Sequence, residues 1–245
     1  MGNNICGIDE EKKQGLQSES KVITTRTVNQ ITIQIVQADI VEELVDVVVN
    51  SSHEPAWSYI SKRYLIYGYI LIRDNNNKTN DLLQQMRIGE LVITNTENVN
   101  SVQIFHTRLP LYQDAKDLLQ IFNVYKECLQ QKGHKTISFT EQNTPNFQIP
   151  KQFHAEVLIR AILSAIQEGD VEFELIKFVS LDQLTLKYFA YELMKQLDEL
   201  KIPELFQLRY QQFLNFLQNG EDAKQEVYLL STGITTEMEG VVEQQ

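Results

Sequence analysis

Cysteine is scarce in this sequence: Cys6 and Cys128 are the only two. Two are too few for a disulfide framework and lie too far apart for zinc-ligand spacing, so a reducing compartment, the cytoplasm, is expected. Long hydrophobic runs are missing. No stretch approaches the roughly 18 consecutive apolar residues of a membrane-spanning helix, and the N-terminus lacks the apolar core of a secretory signal. Positive charge is in deficit: 22 Lys and Arg stand against 33 Asp and Glu, a net charge of −11. That balance argues against duplex nucleic acid, whose phosphates call for clustered Lys and Arg. Small anionic ligands stay open, because helix N-termini and backbone amides hold phosphate without side-chain charge. No P-loop, dinucleotide fingerprint or Ser-His-Asp arrangement is present. His106 reads as a strand residue and His134 and His154 as surface residues. No metal site and no cofactor are therefore expected.

What is present suits a core. The chain has 245 residues, 42% of them hydrophobic, enough for one large domain or one domain with appendages. Residues 1–21 are polar and aperiodic and read as a flexible arm. Within it, Met1-Gly2 exposes a glycine once the initiator is removed, and Cys6 follows closely. One reading is a myristoylated Gly2 reinforced by a palmitoylated Cys6, two lipids giving the membrane contact that one alone gives only marginally. The other is an arm that merely begins Met-Gly.

The informative stretch is Ile31 to His53. Ile31, Ile33 and Ile35 alternate with polar residues, the period of a half-buried strand. A polar break at Gln37-Ala38-Asp39 leads to one helical turn, Ile40 to Leu44. Val47-Val48-Val49 is an unbroken β-branched run, the mark of a central strand covered on both faces. It stops at the turn-prone Asn50-Ser51-Ser52-His53. A buried parallel strand ending in a polar loop is where open α/β sheets place ligands. Around this stretch, strands are expected at Val22–Val28, Leu91–Thr94, Val102–Thr107, Thr136–Phe139 and Phe173–Leu181. Helices are expected within Pro55–Ile70, near Leu82–Met86, and at Asp114–Gln131, Pro150–Ile166 and Leu184–Leu200. The alternation predicts an α/β fold: a three-layer α/β/α sandwich with a mixed, largely parallel central sheet. Pro203 begins a further helix with Phe206, Tyr210, Phe213 and Leu217 on one face. The division is thus an arm at 1–21, a domain at 22–201, and a C-terminal helix with an acidic tail at 202–245.

Several segments, in this order, resemble the macro domain, a family that binds ADP-ribose and in some branches hydrolyses its esters. Ala38-Asp39-Ile40 is similar to that family's Gly-Asp-Ile, and Val45-Asp46-Val47-Val48-Val49-Asn50 to its Val-Asp-Ala-Ile-Val-Asn strand. Gly89 to Thr94, then Ile104 to Thr107 and Pro110, look like its paired strands. Thr136 to Phe139, then Thr144, Phe147 and Pro150, resemble its diphosphate loop, and Phe178 to Asp182 its last strand. The resemblance implies that Asp39 accepts the adenine amino group and that Ile40 donates a backbone amide to the ring. Asp39 as a helix cap is the alternative. Asn50 matches the first Asn of Asn-Ala-Ala-Asn, and His53 stands where the second belongs. His53 then bonds a ribose, or is a surface turn residue. Thr144, Asn146 and Phe147 complete the implied contacts.

The sequence also departs from the family. Glu54-Pro55-Ala56-Trp57 replaces a run of glycines. Side chains and a missing proline amide obstruct backbone approach to a diphosphate. Pro145 and Gln148 stand where glycines are usual, Glu141 repels phosphate if it points inward, and Leu181 replaces a stacking aromatic. The expectation is a binding module for ADP-ribose or a related nucleotide, free or on a modified protein, without efficient catalysis and with no catalytic residue assigned. The alternative is a protein-interaction adaptor with a closed pocket, tethered through Gly2 and Cys6. Third comes an ADP-ribosyl-ester hydrolase.

Overall fold

The computed structural model describes residues 20–52, 85–95, 101–141 and 149–219. Seven strands form one sheet: β1 (Lys21–Val28), β2 (Ile31–Gln37), β3 (Val45–Ser52), β4 (Leu91–Asn95), β5 (Ser101–Arg108), β6 (Thr136–Thr140) and β7 (Leu175–Ser180). Their order is β1-β2-β7-β6-β3-β5-β4. The five central strands run parallel, and β1 and β4 close the two edges antiparallel. The fold is therefore α/β with a mixed, largely parallel sheet, as the alternation of elements predicts.

Four helices are described: α1 (Ala115–Leu129), α2 (Lys151–Glu168), α3 (Gln183–Leu200) and α4 (Pro203–Asn219). They pack on one another in the order α4-α1-α2-α3, with α3 and α4 also in contact. The sheet residues beneath them are chosen by parity. Val47 and Val49 of β3 and Ile33 and Ile35 of β2 join the large core under the helices. Val48 and Val36 point the other way, into a smaller cluster with Ala38, Ile40, Val45, Ile104 and Val179. A strand with period-two side chains and buried valines on both parities is covered on both faces, which is what Val47-Val48-Val49 requires. The described cover of the second face is the 3₁₀ turn Ile40–Glu42. The helices expected within Pro55–Ile70 and near Leu82 lie outside or nearly outside the described residues.

Helix ends follow local chemistry. Asp114 caps α1 by accepting from Lys116 N, and Asp117 reaches back to the cap's own amide, a reciprocal capping box. Pro150 is the cap residue of α2 rather than its first helical residue, and Gly169 ends α2 in the left-handed conformation at φ 77°. α2 is buried almost all round: His154, Ile159, Arg160 and Leu163 are as enclosed as the expected apolar face. The reading of His154 as a surface residue is corrected here. It is 5% exposed, its Nε2 shares a hydrogen bond with Tyr125 Oη at 2.7 Å, and its ring packs edge-on against Phe189. His134 is half-buried, its ring against Phe105 and Phe173. Arg160 is 2% exposed, held between Glu199 at 3.3 Å and Glu156 at 3.7 Å, with Phe213 of α4 5.2 Å from its guanidinium. Phe206, Phe213 and Leu217 bring α4 into the same core as the sheet, and its Gln207, Gln211 and Gln212 face out.

One polar clamp sets where β3 begins. Asp46 Oδ2 accepts from Lys135 N at 2.7 Å and Thr136 N at 2.9 Å, and Asp46 N donates to Thr136 Oγ1 at 2.7 Å. It joins the starts of β3 and β6, the strands that frame the middle of the sheet. Asp46→Ala orphans two backbone donors and is expected to cost about 2 kcal/mol, read as a lower urea midpoint with an unchanged m-value.

Candidate functional site

In an open parallel sheet the ligand crevice lies beyond the carboxyl ends of the strands. Here β2, β7 and β6 end side by side at Gln37, Ser180 and Thr140. Ala38 N bonds Ser180 O at 3.3 Å, extending the β2–β7 ladder by one rung, and Asp39 O then accepts from Glu42 N at 3.0 Å to start the 3₁₀ turn. The chain thus turns away over the strand ends and leaves a cleft of about 350 Å³, lined by Ala38, Asp39, Ile40, Thr140, Glu141, Ser180, Leu181 and Asp182. Asp39 is 3% exposed and Ile40 2%, so the two residues expected at the adenine end do come together at the cleft. A larger opening of about 430 Å³ lies at the other end of the sheet, by Asn29 and Leu200. Topology favours the first.

The far wall is a hydrogen-bonded set of polar side chains. Glu141 Oε1 accepts from Ser180 Oγ and Oε2 from Thr185 Oγ1, both at 2.7 Å. Ser180 Oγ in turn accepts from Asp182 N at 2.9 Å. Asp182 caps α3, accepting from Leu184 N and Thr185 N, and pairs with Lys151 at the start of α2. The Lys151 ammonium and then the Thr185 hydroxyl hold the Asp182 carboxyl down at about 2. A carboxylate depressed in the folded state stabilises above its ordinary pKa and loses that contribution as pH falls from about 4 to about 2. Because Asp182 is 38% exposed, most of the pair's Coulomb energy is screened, and the cap dominates. Asp182→Ala is expected to lower stability by about 1 kcal/mol, measured by thermal unfolding at pH 7.

Asn50 lies at the same end of the sheet, two strands from Ser180, and its side chain turns into the sheet. Its Nδ2 donates to His106 Nδ1 at 3.1 Å across the paired β3–β5 register. The proton of His106 is then on Nε2, which donates to Thr94 Oγ1 at 2.8 Å. Burial lowers the His106 pKa from 6.5 to about 4, so the ring is neutral at pH 7. The chain Asn50–His106–Thr94 fixes the amide and leaves Asn50 Oδ1 buried with no partner among the described residues. Among the described residues the cleft lining includes Asp39 and Ile40 of the expected contacts and does not include Asn50. His53, Thr144, Asn146 and Phe147 lie outside the described residues, as do Gly2 and Cys6.

Sequence reasoning passed over Lys151 and Thr185, whose roles arise only where the N-termini of α2 and α3 meet. The acidic Asp182 directly before a helical run was the available signal. Among the described residues no group of three His, Cys, Asp or Glu could hold a metal ion, and no helix is long and apolar enough to cross a membrane.

No protein-family model matches this sequence, and no curated protein matches it. Solved structures do. A macrodomain of Oceanobacillus iheyensis, a mutant form with ADP-ribose, is 23% identical with a TM-score of 0.60, covering 73% of this chain and 99% of that one. The macro domain of ganglioside-induced differentiation-associated protein 2 is 19% identical with a TM-score of 0.55, covering 64% and 84%. A Trypanosoma brucei macrodomain in complex with ADP-ribose is 13% identical with a TM-score of 0.52, covering 65% and 68%. The chain has the macrodomain fold. In a macrodomain fold the shared feature is the scaffold, and the departures at Glu141 and Leu181 sit on the wall of this chain's own cleft.

Proposed function

We propose that the chain is a binding module for ADP-ribose or a related adenine nucleotide, with Asp39 as the acceptor for the base and without efficient turnover. The observation that carries this is the cleft at the ends of β2, β6 and β7, with a buried carboxylate on its floor. Solved structures of the same fold hold ADP in some cases and ADP-ribose in others. An ionised acceptor at a nearly dry position gives a bond to an exocyclic amine of roughly twice neutral strength. The cleft is at the lower end of the size of small-molecule sites, about 300–1,000 Å³. The reading without efficient turnover is supported by the sequence alone, where Glu54-Pro55-Ala56-Trp57, Pro145 and Gln148 stand in place of the family's glycines.

Calorimetric titration with ADP-ribose tests the reading. Binding is expected, and Asp39→Ala is expected to weaken it by about tenfold or more, from the loss of one charge-assisted bond. A folded protein that gives no heat at millimolar ligand sinks it. Release of ADP-ribose from a modified protein, lost in Asp39→Ala, favours a hydrolase instead. We also propose a membrane tether through lipids on Gly2 and Cys6, supported by the sequence motif. An unmodified Gly2 in mass spectra of the native protein removes it.

A further inference from the structure

Resting on the nucleotide-binding reading, we propose that Glu43 and Lys177 are positioning residues of the site: their ion pair locks the turn after β2 in the register that sets Asp39 and Ile40 at the cleft. The observation behind it is an inversion of the usual burial. Glu43 is 5% exposed, while the next residue, Leu44, is 78% exposed. Apolar burial alone favours the opposite arrangement, since enclosing a leucine stabilises and enclosing a carboxylate is costly. Specific bonds hold the carboxylate inside. Glu43 Oε2 accepts from Lys177 Nζ at 2.6 Å, and Oε1 accepts from Ser20 Oγ at 3.2 Å. Both oxygens are engaged, and the Lys177 side chain is itself largely enclosed, so the attraction is weakly screened.

Lys177 lies within β7, opposite Gln34 of β2 and Ser138 of β6, on the same strand as Ser180 of the cleft wall. It is a fixed point of the sheet. The turn is therefore pinned to β7 at both ends: by the backbone where Ala38 N bonds Ser180 O at 3.3 Å, and by the side chain of Glu43. Between the pins lie Asp39 to Glu42, joined by the bond from Glu42 N to Asp39 O at 3.0 Å. With the first pin alone, the turn can rotate Leu44 inward and Glu43 outward. A slip of one residue in a 3₁₀ turn swings each side chain by about a third of a turn, and Asp39, one bond upstream, moves with it. The ion pair closes that route. Desolvation offsets most of the attraction in a buried pair, so what the pair supplies is one arrangement over another. A turn that held the binding register only a tenth of the time would bind about tenfold more weakly.

The test uses two double variants of the full chain. E43Q/K177M removes both charges at once, so neither is left buried and unpaired; E43K/K177E restores the pair with reversed polarity. Calorimetric titration with ADP-ribose is expected to show affinity about tenfold lower in E43Q/K177M, recovering to within about threefold of wild type in E43K/K177E. The urea midpoint of E43Q/K177M stays close to wild type, and without ligand its Asp39 and Ile40 amide resonances move. One measurement needs no variant: in the ligand-free wild type, the Ala38 and Glu42 amides exchange with deuterium as slowly as those of β7. Unchanged affinity in E43Q/K177M, affinity that falls only in step with the urea midpoint, a swap no better than E43Q/K177M, or a freely exchanging Glu42 amide overturns the inference while the nucleotide-binding reading stands. If the wild type gives no heat with ADP-ribose, that reading fails, and the amide resonances and exchange rates still decide whether the pair sets the turn.

Discussion

Urea unfolding at pH 5 is expected to give a free energy about 4 kcal/mol lower than at pH 7, and two buried histidines account for it. His106 is 4% exposed and His154 5%. Burial lowers both from 6.5 to about 4. Unfolded, each takes up a proton near pH 6.5; folded, each resists until about pH 4. Above pH 6.5 the two states bind the same number of protons here and stability is flat. Below it the unfolded state binds more, so stability falls by about 1.4 kcal/mol per pH unit for each histidine. The fall continues until the folded rings protonate. Asp and Glu titrate mostly below pH 5; burial raises the Glu192 carboxyl and works in the opposite sense, so the two imidazoles set the direction of the change from pH 6.5 to 5. Each ring has a reason to resist. His154 is enclosed among Tyr125, Phe178 and Phe189, and burial disfavours its charged form. Protonating His106 turns Nδ1 into a donor facing the donor Nδ2 of Asn50. His154→Phe or His106→Phe is expected to remove about half of the fall in stability between pH 6.5 and pH 5, and the double variant to remove most of it. A stability that is constant across that window contradicts the burial assigned to both rings.

Phe189→Ala is expected to cost about 4 kcal/mol, the range for a large aromatic removed from a core that cannot collapse around the gap. Phe189 of α3 is fully buried and stacks on Phe178 of β7, ring centroids 3.4 Å apart at 9°. His154 stands edge-on to both rings, and Tyr125 bonds His154 from α1. One side chain therefore touches the sheet strand that forms the cleft floor and, through His154, the two other core helices. The rigid sheet and helices around it limit relaxation, which places the cost at the upper part of the large-to-small range. Phe189→Leu keeps most of the volume and is expected to cost about 1.5 kcal/mol. Chemical denaturation of the two variants reads both numbers. Equal small losses would mean that α3 does not depend on this stack.

Much of this fold is written in local periodicity. Val47-Val48-Val49 announces a two-faced strand, and Phe189 and Leu193 fall inside α3 as their spacing requires. Leu118, Phe122, Tyr125 and Leu129 are likewise buried along α1. Polar residues at enclosed positions escape such a reading, because a hydrophobic period counts only apolar side chains. His154 and Arg160 occupy buried turns of α2, made tolerable by partners far off in sequence: Tyr125 for the first, Glu199 and Phe213 for the second. The site divides in the same way. Asp39 and Ile40 are legible because a strand, a polar break and a short turn are consecutive. The Glu141–Ser180–Thr185 wall and the Lys151–Asp182 pair join residues 31 to 44 positions apart, and only the parallel topology of β6 and β7 brings them together. Asn50 was legible as a strand-end residue, while its attachment to His106 depends on a neighbouring strand 56 residues on.

The central claim is that the cleft over β2, β6 and β7 is the ligand site, and amide chemical-shift mapping with ADP-ribose tests it most directly. The account predicts saturable shifts at Ala38, Asp39, Ile40, Glu141, Ser180, Leu181 and Asp182. Shifts confined to the opposite end of the sheet, at Val28, Asn29 and Leu200, or no shifts at all, contradict it.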